Sequence, residues 1–437
     1  MPSLFEALDR LIEHGDEGFD RQQVWKRIFP GEPYDDVNFR KACSDLLKLT
    51  LEFMAHEHWA RDEAQSAVSA LSYVVNNKIE PLQNTALRQA RASIEKIPYR
   101  SINDFISAYK LERQFYALSN FDVILDTRAN LEEISFPLDC FYWIEKLKIY
   151  SIALAQMRTG NHAYAIPFME ETVAFLRTYP VDEVPELAIY YYSFLNMYDE
   201  SDVNNYFAFR RLLDQYATVM PQKEAIELFD SALHYCTGKI NKGDRAFLQE
   251  YFDVFEEAIQ KGIFFQNGEL ATWRYNNMVA TALGLGKIEW AENFIETYKK
   301  NLPAESRENT YTFNLARVYR FQKKFDQVLE LLQNVEYEDI GVNLISKMML
   351  LITHYERNDF EVLNSFIDSF RVFLNRHKNI PQQRKASYLN LLKYTRRLTK
   401  VHLRGKAAVA KLRDEIAAGK ANIVNHEWLL EKLAAMG

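Results

Sequence analysis

The stretch TYTFNLARVYRFQKKFDQVLELLQNV, Thr310–Val335, decides how the rest of the chain is read. Leu315, Ala316 and Tyr319 recur at the three-to-four-residue spacing of one helical face. After a short polar turn, Phe325, Val328, Leu332 and Val335 line a second such face. Two amphipathic helices joined by so short a turn form a hairpin, and neither helix carries enough polar surface to stand alone. The hairpin must therefore pack against something that covers its outer apolar side.

The unit recurs in both directions. Asn277–Tyr298, NMVATALGLGKIEWAENFIETY, places Ala291 where this copy has Val328, and Lys347–Phe370, KMMLLITHYERNDFEVLNSFIDSF, places Leu363 there. The separations are 37 and 35 residues, close to the ~34 of a tetratricopeptide repeat, whose alternation of bulky, small and bulky residues this spacing resembles. An earlier copy is expected over Lys148–Leu176, with Ala165 at the equivalent position and Thr159-Gly160-Asn161 as its turn. Glu186–Met220 and Lys223–Gly262 read as two further helical hairpins. Stacked hairpins that rotate slightly from one to the next make a curved solenoid with a concave face. The expected fold is all-α: an α-solenoid of tetratricopeptide-like hairpins, with an N-terminal helical module and a C-terminal capping helix.

Composition agrees with long helices and few turns. Over 437 residues there are only 14 glycines and 12 prolines, while 48% of residues are hydrophobic and 29 Phe and 25 Tyr supply bulky filling for the space between helices. Cys43, Cys140 and Cys236 are widely separated and odd in number, which reads as thiols in a reducing compartment. The first residues carry acids and no apolar h-region, and no apolar run approaches the ~20 residues of a membrane span. A cytoplasmic protein with no membrane partner is the expectation.

Three segments differ in grammar: 1–97, an N-terminal helical module; 98–404, the repeats; and 405–437, a C-terminal cap in which Asn425 is placed to begin the helix HEWLLEKL. Within the first, RIFPGEPYDDVNFRKACSDLLKL (Arg27–Leu49) breaks one helix and starts another, with Val37, Arg40, Cys43 and Leu47 at helical spacing. Were this a DNA-reading turn, Asp35 and Asp36 would lead the second helix toward phosphate, and carboxylates repel phosphate. The stretch reads instead as a packing joint in which Phe29 and Tyr34 pin two helices together.

Ser3–Leu8 (SLFEAL), Val24–Met54, Ile97–Tyr116 (IPYRSINDFISAYKLERQFY) and Asn425–Leu433 (NHEWLLEKL) together resemble a group of bacterial, mainly Bacteroidota, tetratricopeptide-like helical proteins. The likeness runs over essentially the full length. It implies a helical-repeat protein and carries no catalytic residue to this chain.

Net charge is −7, yet Ser369–Arg413 holds thirteen Lys and Arg with no Asp or Glu, leaving −20 on the remainder. At 100° per residue, Lys385, Lys393, Arg396, Arg397, Lys400 and Arg404 share an arc of roughly 120° on one helix. Tyr388, Leu391, Leu392, Leu398 and Val401 occupy the other side. The basic stripe reads in three ways: a solvated face, a match to acids elsewhere in the chain or in an oligomer, or a dock for nucleic acid, phosphate or an acidic partner. Glu52, His56 and His58 lie close together, but they lack the H-E-x-x-H spacing that puts two imidazoles on one helix face. No metal, cofactor or catalytic residue is assigned. His234 and His354 read as repeat residues, and Gly284–Lys287 (GLGK) as a turn rather than a phosphate loop. The functional expectation is a non-enzymatic scaffold that binds a protein or peptide on its concave face. The alternative is a nucleic-acid-associated or regulatory protein docking through the basic helix 385–404.

Overall fold

A computed structural model describes residues 4–6, 9, 20–119, 128–160, 163–333, 337, 339–401, 403 and 405–436. Among them, regular structure is helical except for one two-residue β-hairpin. The chain divides into two units, Met1–Ala225 and Ile226–Gly437. The first contains α1 (Arg21–Ile28), α2 (Asp36–Arg61), α3 (Glu63–Asn76), α4 (Glu80–Glu95), α5 (Ile102–Leu118), α6 (Leu131–Thr159), α7 (Met169–Leu176), α8 (Pro185–Tyr198) and α9 (Val203–Tyr216). The division falls inside α10 (Gln222–Asn241). The second continues through α11 (Ala246–Gln260), α12 (Thr272–Gly284), α13 (Ile288–Tyr298), α14 (Arg307–Phe321), α15 (Phe325–Leu332) and α16 (Ile340–Glu356). It ends with α17 (Phe360–Arg376), α18 (Gln382–Val401), α19 (Lys406–Ala418) and α20 (His426–Ala434).

The hairpins of the second unit are built to one plan. Gly286, Lys323 and Asn358, 37 and 35 residues apart, each take a left-handed conformation, with φ of 74°, 59° and 61°. In each turn the following N–H donates back to the carbonyl of the last helical turn: Lys287 to Ala282, Lys324 to Tyr319, Asp359 to His354. That is a Schellman closure, which satisfies orphan carbonyls and reverses the chain within three residues. Seven residues before each turn residue stand Val279, Ala316 and Leu351, and five after it Ala291, Val328 and Leu363, all completely buried. The turn and both packing positions thus keep the same register in three successive copies. Each helix packs on the next from α12 to α18, and α12, α14 and α16 also touch one another in succession.

In the first unit α3, α4 and α5 share a small-residue core around Ala64, Val68, Leu71, Ala90 and Leu111. Small side chains let these helices approach closely. The α1–α2 joint is aromatic: Trp25 lies 4.4 Å from Phe29 and edge-on to Tyr34 at 5.9 Å, and its Nε1 donates to the Glu32 carbonyl. Asp35 caps α2 by accepting from the Val37 and Asn38 N–H groups. The buried side of α2 is Phe39 and Ala42, whereas Val37 and Leu47 are exposed. The spacing of Val37, Arg40, Cys43 and Leu47 identified a helix, which the structure has, and the aromatic joint turns Phe39 and Ala42 inward.

The copy expected over Lys148–Leu176 is not built as a matching hairpin. Ala165 is exposed and lies in non-helical chain between α6 and α7. Pro167 lacks an N–H and disfavours helix at the residue before it, so the second helix begins only at Met169. Asn161, offered as part of that turn, lies outside the described residues, as does Val335. A helix expected from the sequence over Pro2–His14 falls mostly outside them too.

Two features escaped sequence reading. Phe265–Gln266 pairs with Glu269–Leu270 across Asn267-Gly268, both at positive φ, as an Asn-Gly hairpin requires. Asn425 does precede α20, but it takes φ 54° and makes no side-chain cap. The last helix is held instead by α18 and α19, on which it packs, and by a bond from Trp428 Nε1 to Glu356 Oε1 of 2.7 Å.

Candidate functional site

The predicted basic helix exists as α18, and its apolar side is buried as expected: Tyr388, Leu391, Leu392, Leu398 and Val401 all face the core. Its basic side does not present one continuous row. Arg397 forms a bidentate pair with Glu415 of α19, at 2.7 and 2.8 Å, and Tyr394 donates its hydroxyl to the same carboxylate. That pair raises the arginine above its ordinary range and holds Glu415 below the usual carboxylate range. Arg396 reaches Asp368 of α17 at 2.7 Å and the Asn364 carbonyl at 3.2 Å. Lys385, Lys393 and Lys400 make no ion pair among the described residues, although Lys393 lies over the Tyr394 ring. Arg404 lies outside the described residues.

A second row of polar groups runs along the first helices of the hairpins, where sequence reading had placed only a generic concave face. At its start Arg274 of α12 is buried, bonded through both terminal nitrogens to Asp230 at 2.6 and 2.7 Å, and stacked between Phe264 and Trp273. Next, Asn314 of α14 donates to Asn276 Oδ1 at 2.6 Å. Arg317, one turn on, donates to the Asn276 carbonyl at 2.8 Å and to Asn314 Oδ1 at 3.3 Å. Its partners are neutral oxygens. Burial pushes the Arg317 guanidinium down to about 10, and neighbouring Arg320 adds to that shift, so it stays charged at neutral pH beside a second cation. Burial lowers Arg320 as well, opposed by Glu356 and Glu431. The row closes at Glu356 of α16, which accepts from Trp428 and Lys432 of α20.

A half-buried guanidinium without a carboxylate beside it is poised for one. Its fork matches two carboxylate oxygens, and a charge-assisted bond formed away from bulk water is roughly twice as strong as a neutral one. Arg317 was missed because its burial and its lack of an acid depend on α12, forty residues earlier. The available signal was an arginine directly beside Ala316, on the apolar face of the first helix of a hairpin.

The remaining sequence candidates sit in ordinary settings. Glu52 pairs with Lys48 at 4.0 Å and His56 stacks on Trp59. No group of three potential metal ligands is gathered among the described residues. His354 is buried, its Nδ1 4.0 Å from Asp359, and burial lowers its pKa. Gly284–Lys287 is the α12–α13 turn. The three cysteines are free thiols, and burial pushes Cys140 up to about 12 and raises Cys43, opposite to the shift that activates a nucleophile. Among the described residues no helix is long and apolar enough to cross a membrane. Compared with protein-family models and with curated proteins, the sequence matches none.

Proposed function

We propose that this chain is a non-enzymatic scaffold that holds a protein or peptide segment along α12, α14 and α16, the first helices of a tetratricopeptide-like solenoid. The observation that carries this reading is Arg317. Arg274, Arg357, Arg396 and Arg397 in the same unit each have a carboxylate, whereas Arg317 is bonded only to the Asn276 carbonyl and Asn314. A carboxylate from a bound segment would complete it, while the fully buried Asn314 holds Asn276 and Arg317 in place through its own hydrogen bonds. Direct contact between successive first helices supports their forming one surface.

The test is selection from a displayed peptide library followed by titration of the recovered peptides. Acid-containing peptides are expected, with affinity lost about tenfold or more in Arg317→Met and partly kept in Arg317→Lys. Peptides that bind the Arg317→Met protein equally well would dismiss this site, and metabolite turnover by the pure protein would dismiss the non-enzymatic reading. Docking of nucleic acid through Lys385–Arg404 has weaker support, since Arg396 and Arg397 already spend their charge on Asp368 and Glu415.

A further inference from the structure

Helix α2 is 26 residues long, yet only Phe39 and Ala42 are buried. A helix about 39 Å long gains most of its stability from packing one face, and here the packed part ends near its first third. Beyond it, Leu47, Phe53 and Met54 stand 60%, 61% and 59% exposed, with Leu49 and Leu51 beside them. Leu47, Leu51 and Met54 fall within about 60° of one another around the helix, and at roughly 100 Å² apiece they present about 300 Å² of apolar surface, the size of the largest patch a monomer ordinarily leaves open, with Phe53 to one side of it.

The ends of this face carry charge in a definite order. At 100° per residue, Asp36, Arg40, Cys43, Leu47, Thr50, Met54, Glu57 and Arg61 fall within an arc of about 100°, with Leu46 and Phe53 on its flank. Read along the helix, the stripe is acid, base, apolar, acid, base. Asp36 and Arg40 pair at 2.5 Å at one end, and Glu57 and Arg61 at 3.5 Å at the other. A parallel copy would oppose like charges at all four positions. An antiparallel copy centred between Lys48 and Leu49 opposes Asp36 to Arg61, Arg40 to Glu57, Cys43 to Met54 and Leu47 to Thr50. One register therefore matches every charged position to its opposite and every apolar position to the stripe's own middle.

We infer that α2 is the interface of a two-fold homodimer, in which it packs antiparallel against the same helix of a second copy. Such an interface is self-complementary, as two-fold symmetry demands. Two faces of this size bury about 600 Å² before Phe53 and other flanking side chains are counted, which makes the contact a weak, reversible one. Charge at the rim sets orientation, and Leu47, Leu51 and Met54, flanked by Phe53, supply the driving force.

Sedimentation velocity from roughly 1 to 100 µM, the range suited to an interface of this area, provides the test. The native chain should sediment as a dimer, and Leu47→Asp/Phe53→Asp as a monomer with unchanged far-ultraviolet circular dichroism, because both side chains are exposed in one copy. Arg40→Glu would face Glu57 of the partner subunit and should weaken the dimer about tenfold. Arg40→Glu/Glu57→Arg should restore it. A native chain that stays monomeric, including one that instead associates with anionic vesicles, overturns the inference. So does a dimer indifferent to Leu47→Asp/Phe53→Asp, or a double charge exchange that fails to recover association.

Discussion

At the scale of single residues, stability rests on a few charges whose surroundings leave them one partner. Arg274 is buried between two aromatic rings with Asp230 as its acid. Asp230→Ala should destabilise the protein by about 2 kcal/mol, measured by urea unfolding, less than for a fully buried pair because Asp230 keeps some water. His354 makes a pH prediction. Burial lowers its pKa in the folded state, partly offset by Asp359, so the unfolded chain binds the proton first as pH falls below about 6.5. Stability from this group is intact above that pH and is lost on acidification toward the depressed folded value. The loss of melting temperature between pH 7.5 and 5.5 should therefore be larger for the native protein than for His354→Gln. Neither partner was legible in the sequence: Asp230 lies 44 residues from Arg274, and nothing in a helical pattern announces which acid will face a buried cation.

At the scale of elements, the hairpins were legible because their signal is local. Val328 and Leu363 follow their turns by the same five residues, and the period of the apolar faces depends only on helical geometry. The turn chemistry makes a paired prediction. Lys323 stands at φ 59° where Gly286 stands at 74° in the preceding copy, and a side chain in that conformation costs about 1 kcal/mol. Lys323→Gly should raise stability by about that amount. Gly286→Ala should lower it similarly, through the backbone alone, because an added Cβ meets nothing within 4 Å. Thermal unfolding of the two variants checks both signs. The Ala165 copy misled because apolar spacing was weighed without Pro167, whose effect on the backbone outweighs a favourable periodicity.

At the scale of the whole molecule, the charge asymmetry is real and answered from within only at the centre of α18. Segment 369–413 is +13 by composition, but the central arginines of α18 are tied to α17 and α19. Arg397→Glu would set a carboxylate against Glu415, and a fall in stability of about 1 kcal/mol is expected. Were nucleic acid to dock on Lys385, Lys393 and Lys400, three phosphate contacts would weaken binding roughly 40-fold between 50 and 200 mM salt. A mobility-shift titration should show no binding with that salt dependence.

The sequence by itself determined the helical class, the hairpin spacing and the amphipathic character of α18, because each follows from the spacing of apolar residues along one helix. Which side of α2 packs, which charges of α18 are neutralised and why Arg317 lacks an acid were decided only by tertiary structure. Those outcomes depend on side chains brought together from distant helices, where burial and the sign of the nearest charge, rather than local pattern, set the energy.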